Sequence, residues 1–219
     1  MVRGQYKTKK RHEEGISFPK KNKPQKFENY AWVLDYLPYG YTDKPNEPIV
    51  QGLGEYQFLL MEMSPKPNVE IELGERVYIG KGKRDKIDHV IKMIKYETLT
   101  STAKSELIYS ISEAVKMQEE RFIRFFNECP PITTRLHTLE LLPEIKKKYM
   151  WKIIEEREIK KFESFKDFEE RIGKNPVRII AKRVEKELSD DKKDKYYLFV
   201  KWKKGIILNE EDMAYYLKE

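Results

Sequence analysis

Apolar residues in the first half of the chain fall in short stretches separated by Pro and Gly, a pattern that predicts β-strands. The clearest stretch reads Tyr-Ala-Trp-Val-Leu-Asp-Tyr-Leu and predicts a strand over residues 30–37. Further strands are predicted over residues 55–63 and 75–80, with a loop over 42–48, whereas 88–99 fits neither the strand nor the helix period. Strands at such short intervals indicate a small β-barrel rather than alternating strands and helices.

The second half of the chain has the helical period. Apolar residues recur every three or four positions from Leu107 to Phe125 and predict one long amphipathic helix, capped by Ser101 or Thr102 and ended by Pro130-Pro131. Shorter helices are predicted over residues 134–142, 147–159, 165–172 and 176–188. A charged linker over 190–195, a strand over 196–202 and a short terminal helix capped by Asn209 follow.

These elements predict an α+β chain. We expect a basic disordered tail over residues 1–26, a barrel of the oligonucleotide-binding (OB) type over 27–100, a helical domain over 101–188, and a C-terminal strand and short helix over 189–219.

Charge is distributed very unevenly along the chain. The first 26 residues hold nine Lys and Arg against two carboxylates, and since the whole chain has 44 basic and 37 acidic residues, the 35 basic and 35 acidic residues that remain cancel. Such an arm favours binding to a polyanion, although a solubility tail is the alternative. Eight of its cations are assigned to nucleic-acid binding: Arg3, Lys7, Lys9, Lys10, Arg11, Lys20, Lys21 and Lys23.

Composition argues against several other classes of protein. One cysteine, Cys129, excludes an internal disulfide, and together with three scattered histidines it does not predict a four-ligand zinc site. The apolar runs are too short to span a bilayer, so we expect a cytoplasmic protein. No nucleophile beside a base and no phosphate-binding glycine motif is present, and no enzyme activity, metal or cofactor is therefore predicted.

Aromatic residues and a basic loop in the first half suggest a surface for nucleic acid. Alternation along a strand would place Tyr30, Trp32 and Tyr36 on one face, where they would either stack on bases or, as we favour for Trp32, fill the core. Binding residues are also expected near strand ends and in a glycine-flexed loop: Tyr39, Tyr41, Lys81, Lys83 and Arg84. His137 is interpreted as a capping or packing residue.

Residues 141–168 resemble a helix-hairpin-helix module, in which two helices flank a Leu-Pro-Gly-Ile-Gly turn. Leu142, Pro143 and Ile145 are in register, but Glu144 and Lys146 replace the two glycines. The turn therefore either binds phosphate through Lys146, Lys147 and Lys148 or serves as a scaffold. A second, weaker hairpin at residues 171–184 would add the charges of Lys174, Arg178, Lys182 and Arg183, of which Lys174 and Arg178 are assigned to nucleic-acid binding.

Taken together, the basic tail, Tyr-Ala-Trp-Val-Leu-Asp-Tyr-Leu-Pro-Tyr-Gly, Gly-Glu-Arg-Val-Tyr-Ile-Gly-Lys-Gly and Pro-Pro-Ile-Thr-Thr-Arg-Leu-His-Thr-Leu-Glu-Leu-Leu-Pro resemble an archaeal family, the domain-of-unknown-function 655 family. The resemblance implies an OB-like barrel joined to a helix-hairpin-helix domain, no known catalytic residues, and a role around RNA or ribosomes.

The hypothesis is a non-catalytic RNA-binding protein associated with ribosomal RNA or ribosomal particles. Three alternatives stay open at this point. The first is a duplex-DNA-binding factor of repair or transcription, since helix-hairpin-helix modules usually hold duplex DNA. The second is a metal-dependent nuclease using Asp85 and Asp88, and the third is an assembly protein that docks a partner on the helix over residues 102–126.

Overall fold

A computed structural model describes residues 28–189 and 196–200 of the 219. Its centre is an antiparallel five-stranded sheet that curls into half a barrel. Its strands are β1 (Tyr30–Leu37), β4 (Ile49–Gly54), β5 (Leu60–Pro65), β6 (Arg76–Tyr78) and β7 (Ile87–Met93). They lie in the order β6-β1-β4-β5-β7, and in the described part of the chain the two edge strands, β6 and β7, do not pair. Two small ladders join β2 (Gly40–Tyr41) to β3 (Lys44–Pro45) and β8 (Pro131–Thr133) to β9 (Leu136–His137).

Five α-helices and two 3-10 turns, at Tyr96–Thr98 and Thr138–Leu141, complete the described chain. The α-helices are α1 (Ser101–Lys116), α2 (Glu119–Glu128), α3 (Lys147–Ile159), α4 (Phe165–Ile172) and α5 (Pro176–Ser189). The predicted strand over 30–37 and the predicted helices over 147–159 and 165–172 are confirmed to the residue. Local signals explain this accuracy for α4, because Ser164 accepts the Asp167 N–H at its start and Gly173 ends it at φ 78°.

The two faces of the sheet have different partners. On one face Trp32, Leu34 and Leu53 join the core of the helices, and on the other Val33 and Val50 fill the inside of the curl. Trp32 is 9% exposed, which confirms that it is a core residue. Helix α1 begins at the predicted domain boundary, but sheet and helices share a hydrophobic core, so separate folding of the two units stays a prediction.

The expectation that Tyr30, Trp32 and Tyr36 share one face is wrong for Tyr36. The pairing of β1 with β4 shifts register between Val33 and Asp35, which is a β-bulge. Because an extra residue inverts the alternation of side chains, Tyr36 packs against the cluster inside the curl while Trp32 faces the helices.

The strand predicted over 55–63 is wrong in its bounds, and β4 was missed altogether. No element was predicted over residues 49–54, which contain two glycines and Gln51, yet all six residues are buried in the sheet. Gly54 is required there by close packing, because a Cβ at this position would lie 2.5 Å from Oε1 of Glu28. The turn after β4 occupies the start of the predicted strand.

The single long helix predicted from residue 101 to about 126 is wrong, because the chain breaks between α1 and α2 at Met117 and Gln118. The side chain of Gln118 donates to the carbonyl oxygens of Ala114 and Glu55, and Nη1 of Arg121 donates to Tyr56 O. These contacts hold the start of α2 against the turn after β4. Residue Thr100, rather than 101 or 102, caps α1 by accepting the Ala103 N–H.

The predicted helix over 134–142 is also wrong. Oγ1 of Thr133 accepts the N–H groups of Arg135 and Leu136, which closes a tight turn between β8 and β9. A capping box between His137 and Glu140 then starts a single 3-10 turn. His137 is confirmed as a capping residue.

The strand predicted over residues 196–202 is wrong for residues 196–200, which are the part that the structure describes. Residues 196–200 form no strand, and Phe199 and Val200 are buried against the helices. The linker over 190–195 and the helix capped by Asn209 lie outside the described residues.

A buried carboxylate beside the turn after β4 predicts a pH dependence of stability. Glu28 is fully buried and accepts the N–H groups of Tyr56 at 2.7 Å and Gln57 at 2.5 Å. Burial, partly offset by these two bonds, raises the pKa of Glu28 from 4.5 to about 7.

We expect Glu28→Gln to remove one component of the pH dependence of unfolding. The pKa of Glu28 is higher in the folded than in the unfolded chain. The stability that Glu28 contributes is therefore fully present below pH 4.5 and is lost as the pH rises through about 7. The free energy of unfolding of the parent chain relative to the variant should therefore fall between pH 5 and pH 8, by up to about 3 kcal/mol. Urea unfolding at several pH values measures it, and parallel curves for the two proteins would contradict the expectation.

Candidate nucleic-acid interface

A cationic surface surrounds the turn over residues 143–146, which enters α3. Leu142 and Ile145 are each 2% exposed and anchor the turn in the core. Between them Glu144 has φ 65°, in the left-handed region that favours glycine. Since these anchors point inward, the lysines that follow are exposed: Lys146, Lys147 and Lys148.

A second set of cations is held on the same turn by Glu144. Its carboxylate lies 2.8 Å from Nζ of Lys182, 3.6 Å from Nε of Arg178 and 3.8 Å from Nζ of Lys174. The hydrogen bond from Lys182 is the main reason that the pKa of Glu144 lies below its usual value. We call the resulting patch the hairpin surface; it comprises Glu144, Lys146, Lys147, Lys148, Lys174, Arg178 and Lys182.

The hairpin surface carries an excess of positive charge, because it has six cations and one carboxylate, and only three of the cations pair with that carboxylate. Because its ion pairs are exposed, they contribute little to stability and mainly fix where the cations lie. Lys174 also lies 4.7 Å from the centre of the Tyr149 ring, and Nζ of Lys152 donates to Ile172 O. These contacts hold the turn before α5 beside the first turns of α3.

The start of α3 adds a favourable field for anions. Lys146 occupies the N-cap position and its side chain makes no capping hydrogen bond. The N–H groups of the first helical turn therefore lack a side-chain cap, and the helix dipole places partial positive charge there. An anion bound at this point would meet both backbone N–H groups and three lysines.

The other sequence-predicted residues lie in different places. Tyr39 is 79% exposed, and Lys81 and Lys83 are exposed in the loop between β6 and β7. Arg84 of the same loop is half-buried and donates to the carbonyl oxygens of Gly80 and Asp88, both at 2.8 Å. Its guanidinium thus braces the loop. The eight tail cations assigned to nucleic-acid binding, from Arg3 to Lys23, lie outside the described residues.

Tyr41 has a structural role that its sequence position did not indicate. Its hydroxyl donates to Oε1 of Glu62 at 2.7 Å and accepts from Nε2 of Gln51 at 2.8 Å. Burial, followed by the bond to Glu62, raises the pKa of Tyr41 to about 12. Neither Tyr41 nor Arg84 belongs to the surface proposed below.

Two exposed side chains near the hairpin surface were not predicted. Trp151 is 56% exposed and Arg135 is exposed, and both line a cavity between α3 and the ladder of β8 and β9. The one available signal was the spacing of Lys147 and Trp151, which are four residues apart and hence on one face of the helix. Arg183, grouped with the second hairpin by its sequence position, is instead 2% exposed and paired inside the protein with Glu187.

Acidic residues gather elsewhere, in a cavity of about 410 Å³ between α2 and the segment before α4. Its lining includes Glu119, Glu120, Glu128 and Glu163 with one arginine, Arg124. Four of the acidic residues after residue 26 are therefore gathered in this cavity, which is lined by no residue of the hairpin surface.

The described residues contain no group of three His, Cys, Asp or Glu side chains placed to hold a metal ion. Oδ2 of Asp88 lies 2.9 Å from Nδ1 of His89. The thiol of Cys129 is buried, which raises its pKa to about 11. Across residues 28–189 and 196–200, no helix combines the length and the apolar character needed to cross a bilayer.

Comparisons with known proteins place these features in context. A family described as "Protein of unknown function (DUF655)" matches residues 27–201. An uncharacterised protein of Methanocaldococcus jannaschii is 87% identical over 219 residues, which is 100% of both chains. The crystal structure of a DUF655 protein from Archaeoglobus fulgidus aligns with TM-score 0.73 and 43% identity, covering 79% of this chain and 99% of that one. The mixed α+β fold is therefore shared with a solved structure.

Proposed function

This chain belongs to the DUF655 family, and we propose that it is a non-catalytic RNA-binding protein, associated with ribosomal RNA or ribosomal particles, that holds the phosphate backbone. The observation that carries the proposal is the hairpin surface, where three exposed lysines at the start of a helix lie on the same turn as a carboxylate that pairs with three further cations. Phosphate contacts of this kind supply affinity without reading sequence.

The conformation of the turn supports a helix-hairpin-helix interpretation. Glu144, at the position of the first motif glycine, has the left-handed backbone that a glycine there would adopt. Gly173 and Asn175 form a second turn between α4 and α5, in which Oδ1 of Asn175 accepts the Arg178 N–H at 2.9 Å. In such a pair of hairpins, the backbone N–H groups of the turns bind phosphates, and here the lysine side chains add charge.

The half-barrel and the tail extend the same proposal. We interpret the curled sheet as OB-like, with Tyr39, Lys81 and Lys83 as an additional contact for RNA. The tail, whose first 26 residues hold nine cations and two carboxylates, would lie along further phosphates.

One feature favours a second candidate, a duplex-DNA-binding factor. Helix-hairpin-helix modules usually hold duplex DNA, and the two turns at residues 143–146 and 173–175 fit that use. Competition between an RNA fragment and duplex DNA of equal length, at one salt concentration, separates the candidates. A preference for RNA supports the main proposal, and a preference for duplex DNA supports the second.

Replacing Lys146, Lys147 and Lys148 together with alanine tests the hairpin surface. Each lysine that neutralises a phosphate steepens the dependence of log affinity on log salt by about 0.7 for single strands and 0.9 for duplexes. We therefore expect the slope to become flatter by about 2 to 3 and the affinity at low salt to fall at least about tenfold. Fluorescence anisotropy with labelled ribosomal RNA fragments over a range of salt measures both quantities.

Two further variants sharpen this test. Alanine at the exposed residues Lys95, Lys161 and Lys166 removes the same net charge away from the turn and should change the affinity much less. Glu144→Gln removes the one carboxylate of the surface and should strengthen binding. Equal losses from the two lysine triplets would refute a specific role for the hairpin surface.

A further inference from the structure

The cavity beside the hairpin surface has a volume of about 450 Å³, within the usual range for a small-ligand cleft. It lies between α3 and the ladder of β8 and β9, and Lys147 of the hairpin surface lines it. A ligand in this cavity would therefore adjoin the proposed path of the phosphate backbone.

One face of α3 forms a wall of the cavity. Lys147, Trp151 and Ile154 recur at intervals of four and three residues, so they lie along one side of the helix. Trp151 is 56% exposed although a large aromatic side chain is usually buried, and Met150 and Ile154 add apolar side chains to the lining. An exposed indole in a cavity with apolar lining is suited to stacking a planar ligand.

The ladder of β8 and β9 contributes polar groups of two kinds. Arg135 is exposed, and its guanidinium makes no hydrogen bond or ion pair within the described residues. His137 is 8% exposed, and its Nδ1 accepts the Leu139 N–H at 3.1 Å, so the neutral ring carries its proton on Nε2.

Nε2 of His137 has no partner among the described residues, yet it is not sealed in the core. In the part of the chain described, Nε1 of Trp32 is the one fully buried side-chain polar atom that lacks a partner. His137 is a wall residue of the cavity, and the hydrogen bond at Nδ1 fixes the orientation of its ring, so its Nε2–H is an oriented donor on that wall residue. A donor held in place by a capping hydrogen bond is suited to a ligand acceptor such as the carbonyl oxygen of a base.

We propose that this cavity takes a single unpaired RNA base, which stacks on Trp151 and accepts a hydrogen bond from Nε2 of His137. Lys147 and Arg135 hold the phosphates on either side of that nucleotide. The inference rests on the proposed function, and it adds that the RNA is recognised where one base is free of pairing.

The test compares three RNA duplexes of one sequence: fully paired, with one bulged nucleotide, and with the same bulge made abasic. The abasic bulge keeps the phosphates and the bend but removes the base. Stacking of one base on an aromatic side chain corresponds to about a 5- to 150-fold change in affinity. We expect the full chain to bind the bulged duplex at least about fivefold more tightly than the other two.

Trp151→Ala should abolish this preference while leaving the affinity for the paired duplex within about twofold, and Trp151→Phe should retain part of the preference. Since Trp151 is largely exposed, circular dichroism should show both variants folded. Equal affinity of the parent chain for all three duplexes, or a preference that survives Trp151→Ala, overturns the inference. If the paired duplex still binds through the three lysines in that case, the proposed function stands; if no RNA binds at low salt, both fail.

Discussion

Glu187→Ala is expected to destabilise the protein by about 3 to 5 kcal/mol, the usual cost of breaking a buried ion pair. Glu187 is fully buried and Arg183 is 2% exposed, and Nε of Arg183 lies 2.7 Å from Oε1 of Glu187. Alanine would leave the guanidinium without its counter-charge inside the core.

The carboxylate of Glu187 also holds the segment after residue 195. It accepts the N–H groups of Leu198 at 2.7 Å and of Phe199 and Val200 at 2.9 Å. Arg183 in turn donates to the carbonyl oxygens of Leu141 and Tyr196. Loss of the Glu187 carboxylate would therefore remove the hydrogen bonds that hold residues 198–200 to α5, and it would also leave the charge of Arg183 unpaired.

Thermal and urea unfolding measure this effect. For a chain of this size, 3 to 5 kcal/mol corresponds to a fall in Tm of roughly 10 °C. Glu185→Ala is the matched control, since this half-buried glutamate lies on the same helix and should cost less than about 1 kcal/mol. Equal stability of the two variants would contradict the role assigned to the pair.

The second large effect is expected from deleting residues 1–26. This segment has a net charge of +7 from nine cations and two carboxylates. If about seven phosphates are neutralised, the slope of log affinity against log salt should become flatter by about 5 for single strands and about 6 for duplexes. The full chain should lose at least about a thousandfold in affinity between 50 and 200 mM salt, and the shortened chain far less.

Titration of labelled RNA at four or five salt concentrations measures both slopes. The free energy of unfolding of the full and the shortened chain, measured in urea, is the control that both are folded. A slope that is unchanged by the deletion would show that the tail does not contact phosphate and would favour a role in solubility alone.

Elements set by neighbouring residues could be predicted from the sequence. The strand β1 has a dense run of aromatic and β-branched residues, and α4 has a cap at Ser164 and a stop at Gly173. Elements set by distant residues could not be predicted. Position 54 of strand β4 is a glycine because Glu28 leaves no room there for a side chain. The helix is broken at Gln118, whose side chain binds the turn after β4.

The candidate site also has a part that could be predicted from the sequence and a part that could not. Three consecutive lysines after a buried anchor were visible in the sequence, and the structure leaves all three exposed. The gathering of Lys174, Arg178 and Lys182 on Glu144 depends on α5 packing near the turn, which no spacing along the chain indicates. The cavity beside Trp151 likewise exists because a ladder formed where a helix was predicted.

The net charge of residues 27–219 also indicated less about polyanion binding than the positions of the charged side chains do. Equal numbers of basic and acidic residues after residue 26 suggested a body without an electrostatic preference. Folding instead places six cations on the hairpin surface and four carboxylates in the cavity between α2 and the segment before α4. A polyanion near the protein would therefore be oriented as well as attracted.

The most direct test of the central claim is the salt dependence of the affinity of the full chain for ribosomal RNA fragments. Binding through the tail and the hairpin surface together predicts a log–log slope of about −6 or steeper. A slope near zero, or no binding at low ionic strength, would contradict the account.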